Sequence, residues 1–228
     1  IKDIAVISTT KDLPIFKKIL KTGNQWGLKF KFIEQKKPNG IAEAFILAQK
    51  FIGNSPSCLI LGDNIYHGGN WSNILKEANN DLDNSTVFAY RVKDPGRFGV
   101  VNLDEKGIPK KIEEKPKNPL SNLAITGLYF FPKGVSTIAR KLKPSKRGEL
   151  EITDLNKSYL KDKNLQVEIL GRGSAWFDTG THESFQDASL FVSTLQKRQG
   201  LLIGSPEEVA WRMGWICDEE LFQLTKSM

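Results

Sequence analysis

Short, continuous apolar runs recur through the first part of the chain, each separated from the next by a stretch with helical spacing. Ile4-Ala5-Val6-Ile7-Ser8, Phe30-Lys31-Phe32-Ile33-Glu34-Gln35, Cys58-Leu59-Ile60-Leu61 and Thr86-Val87-Phe88-Ala89-Tyr90 read as strands. Thr10-Lys11-Asp12-Leu13-Pro14 opens a helix that continues to Lys21, with Ile15, Phe16, Ile19 and Leu20 on one face. Asn39-Gly40 starts a second helix whose apolar face is Ala44, Ile46, Leu47 and Phe51, and residues 71–78 form a third. Strands alternating with helices of this length predict a mostly parallel sheet. A fully apolar run bounded by Gly and polar residues, such as 58–61, predicts a buried parallel strand.

The rhythm then changes. Residues 99–104, the turn Glu105-Lys106-Gly107 and residues 108–114 predict a β-hairpin, and 124–131 is a further apolar strand. Helices are expected at 135–142 and 151–160, the second capped near Gly148-Glu149, with strands at 165–170 and 175–177. From Thr181 onward the spacing is helical, in segments 183–199, 206–213 after Ser205, and 218–226. There is no internal repeat and no low-complexity linker. The pattern predicts an α/β domain over residues 1–181 and a helical appendage over 182–228 suited to oligomerisation.

Composition adds limits. With 228 residues, 39% of them hydrophobic, the chain can bury a substantial core. No run approaches the roughly 18 apolar residues of a membrane span, and no signal-peptide pattern opens the sequence. Cys58 and Cys217 belong to no close-spaced motif and read as small buried hydrophobes, which suits the cytoplasm. His67 and His182 are too scattered for a zinc site. The net charge is +7, from 33 Lys+Arg against 26 Asp+Glu. Its basic residues occur as pairs among acids rather than as a stripe, so nucleic acid is not an expected partner and steering of a small anionic substrate is.

Two acidic residues stand out against this frame. Asp63 follows the apolar run 58–61, and Asp178 closes Ser174-Ala175-Trp176-Phe177. Open α/β sheets bind ligands beyond the carboxyl ends of their strands. Two carboxylates there could share one divalent cation, and all-oxygen ligation favours Mg²⁺. Each alone could equally form a turn or cap a helix. The sequence offers no Ser/His or Cys/His constellation and no glycine-rich phosphate loop.

Four segments in order carry a resemblance: Gln35-Lys36-Lys37-Pro38-Asn39-Gly40-Ile41-Ala42-Glu43-Ala44, Leu61-Gly62-Asp63-Asn64, Ile112-Glu113-Glu114-Lys115-Pro116 and Ala175-Trp176-Phe177-Asp178-Thr179-Gly180-Thr181. Supporting stretches are Asp94-Pro95-Gly96-Arg97-Phe98-Gly99-Val100, Thr126-Gly127-Leu128-Tyr129 and Arg147-Gly148-Glu149-Leu150-Glu151-Ile152-Thr153-Asp154. Together they resemble the sugar-1-phosphate nucleotidylyltransferases, most closely the thymidylyltransferases acting on glucose 1-phosphate. The resemblance implies a Rossmann-like mixed, mostly parallel sheet flanked by helices, with an inserted β element around the sugar site. It implies a Mg²⁺-dependent bacterial cytoplasmic homotetramer that uses dTTP and glucose 1-phosphate and feeds deoxysugar, especially rhamnose, synthesis.

By the same resemblance Asp63 and Asp178 hold Mg²⁺, and with Lys115, which neutralises the sugar phosphate, they make the catalytic set. Gly99, Glu114 and Glu149 would bind the sugar, and Gln35 and Gly40 would line the thymine pocket. Read from the residues alone, Glu113-Glu114-Lys115 is a solvated hairpin tip, Asn39-Gly40 a turn, and Glu149 a first-turn residue favoured by the helix dipole. Tyr129 and Trp176 read as wall and core, and Thr181-His182-Glu183 as a helix cap. The family's glycine-rich loop ending in Thr-Arg-Leu, and its lysine in a Pro-Lys-Gln context, are absent here. Phe98 stands where a tyrosine is usual. The chain is therefore expected to lack some tens of residues of the family's front and a shorter helical piece of its end, and to be poorly active alone. Other readings are a different base or sugar preference, such as UTP, and a nucleotide-sugar-binding fragment without catalysis.

Overall fold

The apolar runs become strands almost where the spacing places them. The computed structural model describes residues 1–226; the final two residues of the expected appendage lie outside them. In chain order the elements are β1 (Asp3–Thr9), α1 (Leu13–Leu20), β2 (Lys29–Gln35), α2 (Glu43–Leu47), α3 (Gln49–Ile52), β3 (Ser57–Ile60) and β4 (Asn64–Gly68). They continue with α4 (Trp71–Asn80), β5 (Ser85–Arg91), β6 (Gly99–Leu103), β7 (Pro109–Glu114), β8 (Leu123–Phe131), α5 (Val135–Ala139) and α6 (Ile152–Lys161). The last are β9 (Leu165–Ile169), β10 (Ser174–Asp178), α7 (His182–Gln199), α8 (Pro206–Arg212) and α9 (Asp218–Thr225). The chain separates into two units, residues 1–38 with 190 onward, and residues 39–189.

In the first unit β1 and β2 run parallel from Asp3↔Lys29 to Thr9↔Gln35, joined through α1. Pro14 sits in the first turn of α1, where its missing N–H costs nothing. The Trp26 indole donates to Glu207 at 3.0 Å, tying the segment before β2 to α8. Ser205 caps α8 by accepting from the Glu208 N–H at 3.2 Å. Cys217 is exposed at the start of α9 rather than buried, and Cys58 is half-buried, which corrects the reading of both as core.

The second unit is built on β8, buried along its whole length. One edge of β8 pairs with β5 throughout, from Arg91↔Leu123 to Thr86↔Phe130. The opposite edge is shared: β6 meets it at Ala124, and β3 takes over from Leu128 to Phe131. The sheet order is β7-β6-β8-β5-β9, with β3 beside β8. Alternation along β8 sends Ile125, Tyr129 and Phe131 into a core with Phe45, Val101, Ile112, Leu155 and Tyr159. Leu128 and Phe130 face the other way, onto Phe88 and Ala78 beneath α4.

The α/β class and mixed sheet hold, but three details differ from the sequence reading. Parallel ladders occur at β1–β2 and β5–β9, while β3, β6, β7 and β10 pair antiparallel, because β8 and the hairpin separate consecutive strands. Segment 58–61 is accordingly not a buried parallel strand: β3 runs antiparallel to β8 and leaves Ile60 58% exposed. The helix after Gly40 breaks at Ala48 into α2 and α3 and buries Ala42, Phe45 and Ala48; of the expected face only Ile46 packs against the core, and Ala44, Leu47 and Phe51 do not. Its register is set by the Ala42 N–H, which donates to the Leu150 carbonyl at 3.1 Å.

Candidate active site

Asp63 and Asp178 are brought together by a strand that periodicity did not reveal. β4 begins one residue after Asp63 and pairs antiparallel with β10, setting Asn64 opposite Asp178. The pairing continues past the ladder: Thr179 donates to the Asp63 carbonyl from its backbone N–H at 2.9 Å and from Oγ1 at 2.8 Å. Asp178 Oδ1 accepts from the Gly180 N–H at 3.1 Å. A β-carbon built on Gly180 would stand 3.2 Å from Asp178 Oδ1 and 3.9 Å from Asp63 Oδ2. One oxygen of each carboxylate therefore lies within 3.9 Å of the same point beside Gly180.

The Asp63 side chain is also held from behind. Asn64 Nδ2 donates to Asp63 Oδ1 at 2.8 Å, while Asn64 Oδ1 accepts from the Gly127 N–H at 2.9 Å and the Trp176 indole at 2.6 Å. Trp176 is buried, as expected of a wall residue, and stacks obliquely on Phe98 at 5.1 Å between centroids. Phe98 in turn accepts through its carbonyl from the Lys115 N–H at 3.0 Å. Lys115 has φ +43°, a left-handed conformation that few side-chain-bearing residues adopt.

Glu114 lies at the base of the β6–β7 hairpin, opposite Gly99, and not at its tip. The tip is the turn at Asp104, whose carboxylate accepts from the Lys106 and Ile108 N–H groups. The solvated-tip reading of Glu113-Glu114-Lys115 is thus corrected. Thr153 Oγ1 donates to Glu114 Oε2 at 2.5 Å, and Gly99 packs beside both groups, with its Cβ position 3.2 Å from Thr153 Oγ1.

Arg147 is the residue that sequence reasoning missed. Its guanidinium binds Glu151 at 2.8 Å and reaches Glu149 at 3.6 Å and Glu114 at 3.7 Å. Hydrogen bonds from the guanidinium to Glu151, then the nearby carboxylate charges, push its pKa up. Glu149 is therefore an ion-pair partner ahead of α6, not a first-turn residue; the helix starts from Glu151. A cation followed by two acids in Arg147-Gly148-Glu149-Leu150-Glu151 was the available signal.

Gly40 has φ +104° and lies against the Leu150 backbone, between Glu149 and Glu151 in sequence. Gly40, Glu149, Arg147, Glu114, Gly99, Lys115 and the aspartate pair thus form one connected series within residues 39–189. Gln35 closes β2 in the other unit, opposite Thr9. Thr181 Oγ1 accepts from the Ser184 N–H at 3.2 Å, which makes the Thr181 segment the expected cap of α7.

The donor chemistry fits a hard divalent cation. Among the described residues no group of three or more His, Cys, Asp or Glu side chains forms a metal cage. Two carboxylates that leave further positions to substrate oxygens and water are the usual protein share of a Mg²⁺ site on phosphate substrates.

A mixed α/β sheet that mounts paired carboxylates, a strained lysine and an arginine along one connected series defines a phosphate-handling transferase domain. Residues 1–194 match the family model described as Nucleotidyl transferase. The chain belongs to the nucleotidyl transferase family, on the branch of the glucose-1-phosphate thymidylyltransferases. The Neisseria meningitidis serogroup A enzyme of that name is 50% identical over 228 residues, all of this chain and 79% of that one. The Mycobacterium tuberculosis enzyme of that name is 45% identical over the same span and share. A solved Bacillus anthracis structure provisionally named for the same activity is 36% identical with TM-score 0.79, covering 90% of this chain and 80% of its own. A UDP-glucose pyrophosphorylase structure at 22% identity and TM-score 0.70, covering 85% and 81%, shares the fold.

Proposed function

We propose that the chain transfers a thymidylyl group from dTTP to glucose 1-phosphate, giving dTDP-glucose and pyrophosphate. The observation that carries this reading is the convergence of Asp63 Oδ2 and Asp178 Oδ1 on the volume beside Gly180. Relatives at 45–50% identity bearing that name support the choice of substrates. A phosphate oxygen of the sugar phosphate attacks the α-phosphorus in line. The α–β phosphoanhydride bond breaks, and its electron pair leaves with pyrophosphate.

Asp63 and Asp178 would hold a Mg²⁺ ion, which when bound neutralises phosphate charge and orients the two reacting groups. Lys115 supplies the cation that neutralises the sugar phosphate. Glu114 accepts from glucose hydroxyls while Thr153 and Arg147 hold it in place, and the Gly99 N–H and Glu149 complete the sugar's polar contacts. Gly40 lets the base approach the backbone. We further read the protein as a cytoplasmic homotetramer supplying deoxysugar synthesis, rhamnose included. Catalysis here is positioning and charge neutralisation, without a covalent intermediate.

The test incubates the chain with radiolabelled dTTP, glucose 1-phosphate and Mg²⁺, and follows dTDP-glucose by chromatography. Slow product formation is expected with Mg²⁺ and should be lost with EDTA, with Asp63→Asn and with Asp178→Asn. Faster turnover of UTP would overturn the base assignment. Binding of dTDP-glucose without turnover would replace catalysis by the nucleotide-sugar-binding reading.

A further inference from the structure

The side-chain amide of Asn64 has only one workable orientation. Its oxygen accepts from the Gly127 N–H at 2.9 Å and the Trp176 indole N–H at 2.6 Å, and more loosely from the Tyr66 hydroxyl at 3.4 Å. The first two can only donate, and the hydroxyl can serve either orientation. Inverting the amide would set its NH₂ against two donors, so the neighbours themselves decide its orientation. With the oxygen so engaged, Nδ2 must point at Asp63, where it donates to Oδ1 at 2.8 Å.

That bond divides the two oxygens of Asp63. Oδ1 is held by the amide, and Oδ2 is the oxygen near Gly180, on the side of Asp178 Oδ1. The anchors are themselves fixed by the fold. Gly127 lies on β8 where one edge passes from β6 to β3, so its N–H is available to a side chain while its carbonyl accepts from the Leu61 N–H at 2.8 Å. A β-carbon at Gly127 would stand 2.7 Å from Asn64 Cγ and Oδ1, which reserves the position for glycine. Trp176 lies two residues before Asp178 on β10 and is buried.

We propose that Asn64 is a positioning residue that selects Oδ2 of Asp63 as the cation-facing oxygen, and that Gly127 and Trp176 lock the amide in the orientation that does so. The inference rests on reading Asp63 and Asp178 as metal ligands.

Asn64→Asp tests it by sign. The variant keeps an acceptor for Gly127 and Trp176 and loses only the donor to Asp63. Were Asn64 a structural peg alone, the added negative charge beside the pair would leave Mn²⁺ binding unchanged or tighten it. Loss of positioning does the opposite, because two neighbouring carboxylates repel and Asp63 turns away. Mn²⁺ titration of the chain, read from the electron paramagnetic resonance of the free ion, is expected to show binding weakened about tenfold, the scale of one lost charge-assisted hydrogen bond. The thermal midpoint should stay within about 4 °C of the parent.

Mn²⁺ binding equal to or tighter than the parent's would overturn the proposal. Should Asn64→Asp fail to fold, Trp176→Phe decides, since it frees the amide oxygen of one donor and adds no charge; about threefold weaker Mn²⁺ binding is expected, and parental binding would overturn the idea. Asp63→Asn separates the two levels. If it binds Mn²⁺ like the parent, the metal reading itself fails; if it loses Mn²⁺ while Asn64→Asp keeps it, only the role of Asn64 falls.

Discussion

Replacing Gly40 by alanine measures how much of this residue's role is packing rather than ligand contact. The new β-carbon would lie 2.4 Å from the Leu150 carbonyl oxygen, 2.6 Å from its nitrogen and 2.8 Å from its carbonyl carbon. All three are backbone atoms, so no side-chain rotation relieves the overlap. The backbone at φ +104° adds strain for any residue with a β-carbon, about 1–3 kcal/mol. Moving Leu150 also strains two hydrogen bonds, its N–H to Asn39 at 2.6 Å and the Ala42 N–H to its carbonyl at 3.1 Å. Each is worth about 1 kcal/mol.

The expected loss for Gly40→Ala is therefore about 3–5 kcal/mol, a large share of the 5–15 kcal/mol typical of a folded domain. Urea unfolding followed by circular dichroism should show the midpoint falling with an unchanged slope. Displacing Leu150 also shifts its neighbours Glu149 and Glu151, both of which hold Arg147. A variant within about 1 kcal/mol of the parent would refute the packing argument. A raised KM for dTTP at parental stability would assign Gly40 to base contact alone.

Lys115→Gly should raise stability by about 0.5–1 kcal/mol, because glycine relieves the left-handed strain, yet lower turnover about a hundredfold or more; unfolding and activity measured side by side check the opposed signs. Arg147→Leu leaves the largely buried Glu151 carboxylate without its fork of donors and should cost about 2–3 kcal/mol, with Arg147→Lys recovering less than half, read by urea unfolding. The Glu168 carboxyl is pushed up by burial first and by the charge of Glu77 second. A raised acid pKa destabilises the fold when the group is charged, so Glu168→Gln should stabilise at neutral pH by no more than about 1 kcal/mol after solvent screening. That gain should fade as pH falls through the raised folded pKa towards the ordinary carboxylate range; a gain that persists at low pH would contradict the assignment.

Strand positions were legible because apolar continuity at 4–8, 86–90 and 124–131 has few other solutions. Pairing was not legible. Periodicity along one segment carries no record of its neighbour, so nothing local announced that β8 would take β5 on one edge and two strands in turn on the other. β4 escaped because Asn64-Ile65-Tyr66-His67-Gly68 mixes polar and aromatic residues in a two-stranded ribbon and has no continuous apolar run.

The carboxylates were legible as strand-end residues, but their meeting depends on β4 and so required the fold. Glu114 looked like a tip residue because it ends a polar stretch; the turn actually forms where Asp104 can collect backbone donors. The ends of Ala42, Phe45 and Ala48 that reach the core are set by the anchor at Leu150, a contact with no trace in the spacing of that helix.

The split edge of β8 has a consequence for hydrogen exchange. Most amides in a central strand exchange only when the sheet opens, but the Gly127 N–H is shielded by the Asn64 side chain instead of a neighbouring strand. Its deuterium uptake therefore follows the turn that carries Asp63 and not the ladder around it. One amide in the interior of the sheet thus becomes a reporter for the order of the carboxylate turn, readable without substrate and without turnover.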